Sequence, residues 1–144
     1  HNNEPVNEAE SFAKHRLLEA RIVVNDEAKS GLSLAKRAIT AYLESDGDKM
    51  HLANVPSSLF NVRGGLLFLD QERAAEQVGA CARYIQQNML EATVAPSEHM
   101  LETLADALSS LEYYLEGGVL LHAKENRSVL DLADESLRAL GTSA

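Results

Sequence analysis

The sequence predicts an all-α chain, an antiparallel four-helix bundle with an additional N-terminal helix. Apolar residues recur at steps of three and four through most of its length, and no segment alternates with period two. Leu and Ala are abundant, while 3 Pro, 8 Gly, 5% aromatic residues and no Trp disfavour the turns and strands of a sandwich or barrel. The 144 residues, 45% hydrophobic and 24% charged, suffice for one well-buried core, so a single domain is the default.

Each element follows from its pattern. Residues 1–7 are polar, contain Pro5 and show no period, which predicts a tail or an expression remnant. Phe12, His15, Leu18 and Ile22 lie roughly one turn apart and predict an amphipathic entry helix over 8–24. The bundle is expected over 25–141. Asn25-Asp26 can cap a second start, after which Ala28, Leu32, Ala35, Ile39 and Tyr42 recur up to a stop at Ser45-Asp46-Gly47-Asp48. The same pattern also allows 8–24 and this segment to be one bent helix.

Leu52, Val55, Leu59, Val62, Leu66 and Leu69 step by 3, 4, 3, 4 and 3, the stripe of a helix packed inside a bundle. Pro56 fits its first turn if the regular helix begins near Asn54. Asp70 is expected to cap the next helix, through Ala75, Val78, Ala82, Ile85 and Met89, with almost no loop between these antiparallel neighbours. Thr93 to Ser97 break the pattern at Pro96. Leu101, Leu104, Leu108, Leu111 and Leu115 then carry a helix ending at Gly117-Gly118. Val119 to Arg127 is expected to be a connection, and Ser128 with Asp131 has the spacing of a capping box opening a last helix through Val129, Ala133, Leu137 and Leu140 to Gly141.

Composition excludes several function classes. With 22 acidic and 13 basic residues the formal net charge is −9, which repels nucleic acid and anionic lipid. The segment from Ser97 onward contributes −6 of it, with nine acidic residues against three basic, as a solvated surface does. One cysteine, Cys81, permits no intrachain disulfide, and neither a signal peptide nor an apolar run long enough to cross a bilayer is present, so a cytoplasmic setting is expected. His1 in place of an initiator Met is expected of a fragment of a longer chain.

Catalytic patterns are also missing. A di-iron bundle needs Glu-x-x-His pairs that present two ligands on one helix face, but Phe12, Asp48, Pro96 and Val119 precede His15, His51, His99 and His122 by three residues. No metal or cofactor site is therefore expected. Cys81, among Val78, Ala80 and Ala82, fits a buried small hydrophobe better than a nucleophile. Gly64-Gly65 is no phosphate loop, since the flanking segment is helical and no Gly-Lys-Ser/Thr follows. Two glycines inside a regular stripe instead imply a close approach, by another helix or by a partner protein.

The stretch Leu59-Phe60-Asn61-Val62-Arg63-Gly64-Gly65 resembles the His-x-Leu-Lys-Gly motif of the histidine-containing phosphotransfer domain, a four-helix bundle. Val62 matches the Leu, Arg63 the Lys and Gly64 the Gly, and the likeness covers roughly residues 26–140. Phe60 stands where that family carries its phosphoacceptor histidine. Leu104 to Leu115 and Val129 to Leu140 further resemble the phosphotransfer-like modules of the ChpA/PilL/FimL chemosensory group, some of which lack a usable histidine. The resemblance implies a non-catalytic interaction module in type IV pilus and twitching-motility signalling, docking a response-regulator receiver or pilus-regulatory protein. Phe60, Arg63, Gly64 and Leu67 are the candidate docking residues.

Phenylalanine has no nucleophilic or titratable atom, so phosphotransfer through position 60 is closed. The alternatives are a phosphotransfer domain using a displaced histidine, or a structural spacer in a hybrid kinase. The exposure of Phe60 and Arg63 separates a docking surface from a mere widening of the buried stripe.

Overall fold

The computed structural model describes residues 4–117 and 123–142, and it is all-helical, with no strand among them. Five α-helices follow one another: α1 (Glu4–Glu44), α2 (Val55–Phe68), α3 (Glu72–Tyr84), α4 (Glu98–Glu116) and α5 (Ala123–Ala139). A 3-10 turn, Lys49–Leu52, precedes α2, and a π-helical stretch, Ile85–Leu90, prolongs α3. The C-terminal half of α1 packs on α2 and α4, α2 on α3, and α5 on α4 and α3. All share one core.

The predicted stripes are the buried ones. Ala28, Leu32, Ala35, Ile39 and Tyr42 of α1 turn inward, as do Leu52, Val55, Leu59, Val62, Leu66 and Leu69 around α2. Each such Leu or Ile contributes about 1.5–3 kcal/mol by leaving water.

Several boundaries differ. The two N-terminal segments are one helix of 41 residues, about 60 Å long, with residues 4–7 already inside it. No break falls between 24 and 25. Asn25, expected as a cap, instead donates its side-chain amide to the carbonyl of Leu115 at 3.1 Å, and Arg21 donates to the carbonyl of Leu69 at 3.2 Å. Both satisfy carbonyls at helix C-termini, where cationic and N–H groups are favoured. Upstream of Arg21, residues 7–20 are all exposed; Phe12 does not pack on the bundle as an amphipathic entry helix would, and Leu18 only lines a groove with Leu69 and Tyr114.

Asp70 is not the cap of α3. It sits in the left-handed region at φ 60, inside the turn that reverses the chain, and Gln71 holds the N-cap position without a side-chain capping bond. Tyr114 of α4 donates its hydroxyl to Gln71 Oε1, which ties that turn to α4. The last helix starts at Ala123, so Ser128 lies within it and opens no capping box there, while Gly118 of the expected stop and 119–122 of the expected connection lie outside the described residues. The pair at Asn54–Pro56 behaves as predicted, with Pro in the first turn of α2.

Candidate functional site

α2 is a helix with two distinct faces. Its inner face is complete without Phe60: Val55, Leu59, Val62 and Leu66 are at most 7% exposed. Phe60, Arg63, Gly64 and Leu67, spaced i, i+3, i+4 and i+7, lie together on the outer face. Phe60 is 43% exposed and Leu67 41%, and Phe68, which the sequence did not single out, is 48% exposed beside them. A single exposed apolar residue is ordinary; three on one short helix next to an open glycine form a patch.

The adjacent glycines serve different surfaces. A Cβ on Gly65 would stand 3.1 Å from Val24 Cγ1 of α1, so this glycine permits close helix packing. A Cβ on Gly64 would meet nothing within 4 Å. Gly31 of α1 makes the counterpart approach, since its Cβ would lie 2.4 Å from Val62 Cγ2. Helix packing thus accounts for Gly31 and Gly65, and leaves Gly64 facing solvent.

The patch continues onto α3. Gly79 is buried there, and the side chains of Arg63 and Arg83 lie against the face from which its own would project. A Cβ on Gly79 would stand 3.1 Å from Arg83 Nη1, 3.4 Å from Arg63 Cδ and 3.6 Å from Arg63 Nε. Neither Gly79 nor Arg83 carries a signal in the sequence. Only the register of the antiparallel α2–α3 pair brings them to Arg63.

Behind the patch, α3 is fixed to α5 by a polar network that periodicity also missed. Arg73 bonds Asp131 at 2.7 Å and Asp134 at 2.6 Å, while the fully buried Gln77 donates to the Leu130 carbonyl at 2.9 Å and to Asp134 at 2.8 Å. Desolvation opposes the charge on Asp134, but the hydrogen bonds from Arg73 and Gln77 outweigh it and hold the carboxyl below its ordinary range.

No nucleophile is assembled here. Cys81 is fully buried, and desolvation pushes its thiol up to about 12. His51 lies in the 3-10 turn rather than on α2, and His99 stands in the first turn of α4; both are exposed. His15 contacts Glu19 at 3.0 Å on the exposed part of α1. His1 and His122 lie outside the described residues. No group of three metal-ligating side chains occurs among the described residues. No helix of the described residues is long and apolar enough to cross a membrane.

Fold and site together define an all-helical body whose distinctive surface offers contact groups, apolar and cationic, rather than reactive ones. The chain belongs to the FimL C-terminal domain family, whose model matches residues 15–137. It is 68% identical over 138 residues to the scaffold protein FimL of Pseudomonas aeruginosa strain PAO1. That match covers 96% of this chain and 25% of the relative, so the chain spans about a quarter of that protein's length. No solved structure gives a significant match.

Proposed function

We propose that this chain is a non-catalytic protein-interaction module, a degenerate phosphotransfer-type antiparallel bundle over 25–141 with the 8–24 part of α1 as its N-terminal addition. It docks a protein partner through Phe60, Arg63, Gly64 and Leu67. One observation carries the reading: Phe60, at the position of the phosphoacceptor histidine in the motif it resembles, is 43% exposed on a helix whose buried stripe is complete without it. Exposed aromatics beside small residues are common contact anchors. The scaffold description of the relative agrees with binding rather than catalysis.

The partner class is a response-regulator receiver or pilus-regulatory protein of the cytoplasmic type IV pilus signalling system. The test is titration of purified receiver domains of pilus response regulators against the chain and its Phe60→Ala and Arg63→Ala variants. Loss of about tenfold or more in affinity, with unchanged thermal stability, is expected for Phe60→Ala. Binding that both substitutions leave intact removes this surface from the reading.

A further inference from the structure

Arg63 of α2 and Arg83 of α3 converge on the buried Gly79. Both are exposed residues, and the absence of a side chain at Gly79 lets the stem of Arg63 and the guanidinium of Arg83 approach the same point of α3. Among the described residues Arg63 and Arg83 form no ion pair, as is true of several exposed cations such as Arg37, but these two come together at one glycine. α2 contains no acidic residue. On α3, Glu76 lies one turn before Gly79 and is exposed, yet forms no ion pair either. In a chain of net charge −9, two like charges share one patch, and no described carboxylate lies within ion-pair distance of either.

From this geometry we infer that Arg63 and Arg83, seated over Gly79, form a two-guanidinium clamp for paired carboxylates on an acidic protein partner. Phe60 and Leu67 supply the apolar flank. The inference rests on the docking reading of α2, extends it to α3 and specifies the partner's chemistry. Guanidinium forks suit carboxylates bidentately, which favours a protein's Asp and Glu side chains as the occupant. The acidic remainder of the chain repels a continuously charged nucleic acid far more than a protein whose carboxylates are confined to one local patch.

Two probes separate this inference from the docking reading: purified receiver domains, and a fluorescein-labelled peptide alternating glutamate with leucine, both read by anisotropy in low and high salt. Arg63→Gln and Arg83→Gln should each weaken binding about tenfold at low salt and much less at high salt. Arg37→Gln, the same charge change on an exposed residue of α1, should weaken it less than twofold.

If receivers bind and Phe60→Ala weakens them while Arg83→Gln behaves like Arg37→Gln, the clamp is overturned and the docking reading stands. If the peptide binds in an Arg83-dependent way but no receiver does, the clamp stands and the receiver assignment falls. If neither probe binds, both fall. An oligonucleotide bound as tightly as the peptide overturns the assignment to protein carboxylates.

Discussion

Gly31→Ala tests the close approach of α1 and α2. The added methyl would stand 2.4 Å from Val62 Cγ2, well inside van der Waals contact. Val62 is only 5% exposed and β-branched, so it has little freedom to turn away. Inserting a methyl into a packed interface costs about 1–3 kcal/mol, and the shortness of this contact puts the cost near the upper part of that range. Against it stands the gain of about 1 kcal/mol from replacing a helical Gly by Ala. The net expectation is destabilisation by about 1–2 kcal/mol, or a Tm lower by about 3–8 °C.

Gly64→Ala has the same propensity gain and no clash, so it should stabilise by up to about 1 kcal/mol. Gly65→Ala, at 3.1 Å from Val24 Cγ1, should fall between the two. Urea denaturation with an unchanged slope is the assay. In the double variant Gly31→Ala, Val62→Ala, deletion of Cγ2 should relieve the clash and give a favourable coupling of about 1 kcal/mol. A Gly31→Ala protein as stable as the parent, or a cycle with no coupling, contradicts the helix spacing on which the site description depends.

Asp134→Asn should lower stability by about 1 kcal/mol at pH 7, since it weakens the acceptor for Arg73 and Gln77 at a partly screened position. Because the folded-state pKa of Asp134 is depressed, its contribution is present above the unfolded carboxylate value of about 3.9 and is lost as pH falls through the folded value. The difference between parent and variant should therefore shrink on acidification below about pH 4, and a constant difference argues against the ionised pair. Cys81 should resist a thiol reagent at pH 8 in the native protein and react fully in denaturant, and rapid native labelling contradicts its burial. Incubation with a phosphorylated receiver should leave no acid-labile phosphoryl group on the chain, and an adduct on any histidine restores the displaced-histidine alternative.

Much of the helical body was legible because a helix's own periodicity marks the face it will bury. The stripe from Leu52 to Leu69 and that from Ala28 to Tyr42 are both inward. The exposure of Phe60 was not legible, since a buried stripe wider than two positions per heptad would also contain it. Caps were misread where a polar residue serves a distant carbonyl: Asn25 bonds Leu115, a partner 90 positions away.

The all-α class, the core stripes, the acidic surface and the absence of a nucleophile at position 60 were therefore all readable from residue order. Those depend on residue type and on spacing within one helix. The tertiary structure decided that α1 is continuous, that Gly65 faces a helix while Gly64 faces solvent, and that Arg83 joins Arg63 over Gly79. These depend on the register and separation of packed helices, which local periodicity does not encode.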